Sequence, residues 1–140
     1  HRRRPPRRAP GTSVSAVLAT LGAAVAAFVL SGAYYAAFAS RLAQLSPAYA
    51  GARRSAATTA GVELVRNVVL ATVLGGLIAR LDIGFGGALV LALALWLAFP
   101  VVLLAGSVFH ERVPVALAVI HVGDWLIKLV VVTAVVAIGY

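Results

Sequence analysis

Two long stretches of the sequence contain no charged residue, and this feature restricts the fold more than any other. They cover residues 12–40 and 83–109, and each exceeds the roughly 20 apolar residues that a helix needs to cross a bilayer. The whole chain is 62% hydrophobic and only 11% charged. A small soluble domain leaves much of its surface in water and could not bury this excess. We therefore expect a polytopic membrane protein and exclude a soluble or disordered chain.

The positions of the polar turns divide the apolar sequence into four spans. Residues 80–82 and 110–114 are short polar breaks that make their flanking helices antiparallel, and residues 41–61 are predicted to form an extramembrane loop. The apolar runs are continuous rather than alternating, which argues against a β-barrel. The sequence thus predicts an all-α membrane protein, an antiparallel four-transmembrane-helix bundle. It forms a single domain over residues 12–140, with helices at about 14–38, 62–80, 85–109 and 114–138.

A basic, proline-containing segment is predicted to form a tail over residues 1–11. Its basic residues are Arg2, Arg3, Arg4, Arg7 and Arg8. Next to a membrane span, such arginines face anionic lipid headgroups and contribute about 1 kcal/mol each. We therefore expect lipid rather than nucleic acid as their partner, despite a pI of about 11.4.

The distribution of basic residues also predicts the orientation. An even number of spans puts both termini on one side, and the tail together with Arg80 carries more basic residues than the opposite loops. The positive-inside rule then places both termini in the cytoplasm of a bacterial plasma membrane. The first span also resembles a signal peptide ending at 37–39, but it is longer than the usual core of about 7–15 residues.

Charged side chains inside two predicted spans are the most informative feature. The set comprises His121, Asp124 and Lys128 on the fourth helix and Glu63, Arg66 and Asn67 on the second. In each helix the spacing places the residues on one face. Asp124 lies about 15 Å along its helix, near the bilayer centre, where a charge costs at least about 2.5–3.5 kcal/mol. We predict a buried polar network in which Arg66 pairs with Asp124. Glu63 would then pair with His121 or Lys128.

This network is compatible with more than one role. Its formal charges cancel, so it could simply fix the helix register. Acid and histidine residues in membranes also relay protons or ions, and a hydrolytic or isomerising site is a third alternative. The sequence contains no nucleophile, phosphate-binding or zinc motif. We therefore predict no catalytic residues, no metal and no cofactor.

Small residues and one proline predict how the helices pack. Small side chains recur every fourth residue on the first helix, at Ala19, Ala23, Ala27 and Ser31, and on the second, at Ala71, Gly75 and Ala79. Such stripes allow close helix approach, within one subunit or between subunits. Pro100 is predicted to kink the third helix and to free the carbonyl of Trp96. Lys128 or a neighbouring hydroxyl or water would then supply the missing donor.

Several segments together resemble a known family. They are Ser31–Gly32–Ala33–Tyr34–Tyr35, Leu95–Trp96–Leu97–Ala98–Phe99–Pro100, Gly106–Ser107–Val108–Phe109–His110–Glu111 and His121–Val122–Gly123–Asp124–Trp125–Leu126–Ile127–Lys128. Over residues 25–140 the chain resembles the bacterial membrane family DUF1761 in its actinobacterial form. The resemblance implies four helices and a bacterial plasma membrane, and it implies no activity and no functional residues.

Two functions are therefore predicted as alternatives. The first is a small transport or proton- or ion-coupling protein that works as a homo-oligomer. Asp124 would be its proton-labile group, Lys128 and Arg66 the electrostatic partners, and His121 the relay. The second is a non-catalytic scaffold or a subunit of a larger complex, which binds lipid or partners through its small-residue stripes and basic tail.

Overall fold

The computed structural model describes residues 14–51 and 54–139, which form α-helices, one π-helical segment and no strand. The elements are α1 (Val14–Ala37), α2 (Ala39–Leu45), α3 (Pro47–Ala50), α4 (Ala56–Leu81), α5 (Phe85–Trp96), the π segment (Leu97–Val101), α6 (Val102–His110) and α7 (Val115–Gly139). Within this part of the chain, four helices are long and apolar enough to cross a membrane: α1, α4, the continuous helix Phe85–His110 and α7. The predicted all-α membrane architecture is confirmed. The predicted tail over residues 1–11 lies outside the described residues.

The start of α4 is the helix boundary that differs most from prediction. The helix begins at Ala56 rather than at residue 62, because Ser55 caps it. The Ser55 hydroxyl accepts a hydrogen bond from the backbone N–H of Thr58 at 3.1 Å, which satisfies one of the free donors of the first turn. The other spans begin and end within about one residue of the predicted positions.

The connection between α1 and α4 contains two short helices, α2 and α3, whereas residues 41–61 were predicted to be a loop. Ser46 has an extended backbone and separates α2 from α3, and its side chain accepts from the Ala48 N–H at 3.3 Å. Pro47 occupies the first turn of α3, where its missing N–H costs no helical hydrogen bond. Leu42 of α2 is 1% exposed and packs against Leu117 and Ile120 of α7. The connection is therefore docked onto the start of the last span.

Pro100 lies inside the π segment, so the third span accommodates the proline by widening one turn. Proline cannot donate to the helical ladder, and a π turn is a common local solution. The Trp96 indole N–H donates to the carbonyl of Val122 at 2.9 Å, which ties the third span to α7. Lys128 does not serve as the predicted donor to the Trp96 carbonyl, because its ammonium contacts two carboxylates instead.

We call the half of the bundle that contains the start of α1 and the end of α7 the lower half, and the half beside α2 and α3 the upper half. The lower half is a close-packed core of small and branched side chains. Its buried members are Ala23, Ala27, Ala71, Leu74, Ile78, Ala88, Ala92, Leu129, Val132 and Val136. A side chain added at Gly139 of α7 would collide with Ala19 of α1. α7 packs against α1, α4 and α5 and so lies at the centre of the bundle.

The two predicted small-residue stripes have different outcomes. Ala19, Ala23, Ala27 and Ser31 of α1 are all buried within the subunit. On α4, Ala71 and Gly75 are buried but Ala79 is exposed, so packing at Ala79 stays a prediction, for contact between subunits. Four residues turn a helix about 40° beyond a full turn, and a strict four-residue repeat therefore drifts off the buried face. The buried face continues through Leu74 and Ile78 instead.

Candidate functional site

The upper half contains a cavity of about 1100 Å³ that is lined by the four spans and α3 and is open on one side. One part of its wall is apolar and includes Phe28, Phe99, Leu103, Leu104 and Trp125. The rest of the wall carries the charged and polar residues of α4 and α7. All six residues of the predicted network line this one cavity: Glu63, Arg66, Asn67, His121, Asp124 and Lys128.

A chain of contacts connects the most buried charge with the most exposed one. Asp124 is 2% exposed, and its two carboxylate oxygens accept from the Ser31 hydroxyl at 2.5 Å and from the Lys128 ammonium at 2.8 Å. Lys128 also contacts Glu63 across the helix interface at 3.3 Å. The second oxygen of Glu63 accepts from the Arg66 guanidinium at 2.5 Å. Each carboxylate oxygen in the chain thus has a donor, as burial of charge requires.

One predicted pairing is absent and another is present. Arg66 does not pair with Asp124 but with Glu63, three residues away on its own helix. The Arg66 side chain is 52% exposed, and the long guanidinium stays at the cavity while Lys128 occupies the space beside Asp124. The predicted alternative in which Glu63 pairs with Lys128 is the one that the structure contains.

His121 belongs to a separate group formed with two tyrosines. The hydroxyl of Tyr35 lies 2.7 Å from Nδ1 of His121, and the hydroxyl of Tyr49 lies 3.4 Å from Nε2. A neutral imidazole has one donor and one acceptor nitrogen, so the tautomer decides which tyrosine donates. Tyr49 lies on α3, outside the spans, and burial is the main cause that raises its pKa above the ordinary 10.0, followed by the negative charges of Asp124 and Glu63. The phenol is therefore neutral at physiological pH.

Trp125 places an aromatic face beside two cations of the chain. Its ring centroid lies 5.9 Å from the Arg66 guanidinium carbon and 5.7 Å from the Lys128 ammonium. Attraction between a cation and an aromatic face contributes about 0.5–2 kcal/mol, and more when water is excluded. The ring thus helps to hold both cations at the cavity wall.

Comparison with known proteins assigns the chain to a family. The family model described as "Protein of unknown function (DUF1761)" matches residues 18–137. The chain belongs to the DUF1761 family. The matched segment contains every side chain that lines the cavity. No curated protein and no solved structure matches the chain.

Asn67 is the one residue of this DUF1761 site whose side chain is buried without a complete set of partners. It is 2% exposed and lines the cavity. Its amide nitrogen has no hydrogen-bond partner among the described residues. Thr133, deeper in α7, has an unpaired hydroxyl too, but it does not line the cavity. An unpaired buried donor typically costs about 1–3 kcal/mol, so Asn67 marks a position where an acceptor would be stabilising.

Sequence reasoning missed several residues of the DUF1761 cavity as members of the site. Ser31 was predicted only as a packing residue, and Tyr35, Tyr49, Trp125 and Arg54 were not predicted at all. Tyr35 follows Ser31 by four residues and so shares its helix face, which is a signal the sequence offered. Tyr49 offered none, because its position depends on the fold of α2 and α3. Among the described residues, no group of three or more His, Cys, Asp or Glu could hold a metal ion.

Proposed function

We propose that this DUF1761 member is a small transport or proton- or ion-coupling protein in which Asp124 is the proton-labile group. One observation carries the proposal: the buried Asp124–Lys128 pair lies in the wall of a cavity of about 1100 Å³ inside the apolar part of the bundle. Charges at this depth are costly in lipid and are typically found facing a bundle interior or a water-filled cavity on an ion pathway.

The course of the contact chain supports this role over a purely structural one. A network that only fixes helix register needs no access from outside and is most stable when sealed. Here the chain runs from Asp124, which is buried, through Lys128 and Glu63 to Arg66, whose side chain is half exposed. Protonation of Asp124 would weaken its contact with Lys128, and the Lys128 ammonium would then pair with Glu63 alone. The ammonium thus has two possible pairing arrangements, depending on the protonation of Asp124.

His121 supplies a second titratable group on the same cavity. It lies one helical turn before Asp124 on α7, and its imidazole stands between two phenol hydroxyls. An imidazole with one donor and one acceptor nitrogen can pass a proton between such hydroxyls. We propose His121 as the relay, with Tyr35 and Tyr49 as its hydrogen-bond partners.

The test is proton flux into liposomes that contain the purified protein and a trapped pH indicator. Asp124→Asn keeps the side-chain shape and the contact with Ser31 but removes the titratable charge, and we expect it to abolish flux. Asp82→Asn is the matched control, because Asp82 is exposed at the end of α4 in a left-handed conformation that asparagine also accepts. Circular dichroism and gel filtration check that both variants fold. Flux in Asp124→Asn equal to that of the unchanged protein would refute the proposal and favour the non-catalytic scaffold.

We further propose a bacterial plasma membrane location with both termini in the cytoplasm. The arginine-rich tail and Arg80 support this orientation, and the tail would contact anionic lipid headgroups. Accessibility of engineered cysteines at positions 80 and 112 tests the orientation, since the two lie at opposite ends of the spans.

A homo-oligomer or larger complex is proposed because four spans form a small bundle. Its interface would not use the α1 stripe, which is buried within the subunit.

A further inference from the structure

We infer that the cavity binds an anionic amphiphile, an acidic headgroup joined to an acyl or prenyl chain, which enters from the lipid past Phe99 and Leu103. The inference names a ligand class for the cavity of the proposed function and in that sense rests on it. It depends on the distribution of unused hydrogen-bond donors and on where the apolar wall reaches the surface.

The acids of the cavity are satisfied, whereas the donors are not. Both oxygens of Asp124 and both oxygens of Glu63 already accept from a hydroxyl or a cation. Arg66 uses one terminal nitrogen for Glu63 and remains half exposed. An incoming cation would therefore have to displace existing ion pairs, while an incoming anion would find guanidinium groups with free N–H groups.

Two further residues with hydrogen-bond donors line the same cavity. Arg54 lines the cavity and makes no hydrogen bond or ion pair among the described residues. Asn67 lines it as well, but its unpaired amide nitrogen is itself buried, so the donors open to the cavity are those of the two arginines. A carboxylate or phosphate group accepts several hydrogen bonds at once, and such bonds to charged donors are about twice as strong as neutral ones. The headgroup of the ligand is therefore acidic.

The remaining wall of the cavity indicates that the ligand also has an apolar chain. Phe99 and Leu103 line the cavity, yet they are 59% and 67% exposed, so they form its rim. Both lie within the apolar helix Phe85–His110, with Leu103 about 10 Å from the end of that helix at His110. A rim at this depth meets lipid chains rather than water. A ligand that reaches the donors through this rim carries its apolar part along Phe99 and Leu103.

The experiment uses the purified protein in nanodiscs of phosphatidylcholine, which has no net charge. The probe is a fatty acid with a photoreactive diazirine in its chain, compared with the fatty alcohol of identical chain and diazirine position. We expect saturable labelling by the acid, at least about tenfold stronger than by the alcohol, as loss of a charge-assisted headgroup contact predicts. Excess oleate should compete, and acetate should not. Equal labelling by acid and alcohol would overturn the inference, and so would competition by acetate as effective as that by oleate, since the ligand would then be a water-soluble acid.

Two pairs of variants locate the site. Leu103→Trp should block labelling at the rim, whereas Val102→Trp is its control because Val102 is 60% exposed but does not line the cavity. Arg66→Gln should weaken labelling about tenfold, and Arg80→Gln on the same helix should not. Labelling that is unchanged in Leu103→Trp and Arg66→Gln would refute the site.

The proposed function and this inference fail separately. Acid-specific labelling without proton flux in liposomes would refute transport and leave the ligand site standing. Flux that depends on Asp124 without acid-specific labelling would refute the ligand site and leave transport standing.

Discussion

In the lower half of the bundle Ala23, Ala71 and Ala88 are completely buried and the helices touch along small side chains, whereas in the upper half the same helices line an open cavity of about 1100 Å³. Among the described residues, the buried polar side chain of the lower half is Thr133, whereas the upper half contains a chain of four charged residues.

This contrast shows how a small membrane bundle can combine rigidity with a polar interior. Lipid provides no hydrophobic force between apolar helices, so the lower half depends on close contact between small residues. The upper half depends on charge pairing, which is strong when complete and costly when one partner is missing. The two halves should therefore respond to different kinds of substitution.

The largest effect is expected from removing one partner of the buried pair in the upper half. Lys128→Met leaves the carboxylate of Asp124 with only the Ser31 hydroxyl, and the loss should be about 3–5 kcal/mol of unfolding free energy. Thermal unfolding in mild detergent, followed by circular dichroism, measures it. The double variant Asp124→Asn/Lys128→Met is the control and should recover most of the loss. If Lys128→Met unfolds at the same temperature as the unchanged protein, the Asp124–Lys128 pair is hydrated. The two halves would then not differ through the burial of a charged pair.

The next largest loss of stability is expected in the lower half. It comes from comparing the same substitution at a buried and at an exposed position of α4, which separates the effect of packing from that of the added residue type. Ala71→Leu adds volume where the side chain is 0% exposed, and overpacking of this kind costs about 1–3 kcal/mol. Ala79→Leu is the matched control, since it is the same substitution on an exposed position of the same helix. The unfolding free energies of the two variants, measured under one condition, should differ by that amount. Equal stabilities would mean that α4 and its neighbours relax easily in the lower half.

A smaller effect is expected at the tyrosine–histidine group of the upper half. Tyr35→Phe removes the hydroxyl that lies 2.7 Å from His121, and the loss of one such hydrogen bond costs about 0.5–1.5 kcal/mol. Tyr34→Phe serves as the comparison, because the Tyr34 hydroxyl has no hydrogen bond among the described residues. A larger loss in Tyr34→Phe than in Tyr35→Phe, seen in the same unfolding measurement, would contradict the assignment.

The smallest effect is a pH dependence of the contact between α3 and the upper half. Burial raises the pKa of Tyr49 above its ordinary value of 10.0, so the folded state holds the phenol neutral. The neutral Tyr49 phenol therefore contributes fully to the free energy of unfolding below pH 10. This contribution disappears as the pH rises through the raised pKa. Titration by tyrosine absorbance should show one fewer late-titrating phenol in Tyr49→Phe than in the unchanged protein. A titration that is identical in the two proteins would show that Tyr49 is solvated.

The sequence was a good guide to the fold because the information lay in long continuous patterns. Two uncharged stretches longer than a bilayer-spanning helix, together with the short polar turns between apolar segments, predicted the four spans, and one alanine stripe predicted the buried face of α1. The start of α4 was missed because Ser55 acts through a single hydrogen bond to Thr58, which a hydropathy pattern does not report. The repeat did not show that Ala79 is exposed within the subunit, because a four-residue spacing differs from the helical period of 3.6.

The site was less predictable because pairing depends on side-chain reach as well as on helix face. The sequence grouped Glu63, Lys128 and Asp124 in one network, but helix faces alone did not show that Lys128 would contact both acids. The long side chain of Lys128 takes the position predicted for Arg66. Tyr49 joins His121 through the tertiary placement of a four-residue helix, and no local pattern predicts such a contact.

The widened turn around Pro100 changes the angular phase of the third span. In α5 the buried positions are Ala88 and Ala92, and an unbroken α-helix would continue this row close to position 99. Instead Phe99 is exposed and Pro100 is buried, so the row is offset by one residue, or about 100° of rotation. The buried face of this continuous span therefore points in two directions, one before the π segment and one after it. The lower part of this span packs into the core, and the upper part is rotated so that Phe99 and Leu103 lie at the cavity rim.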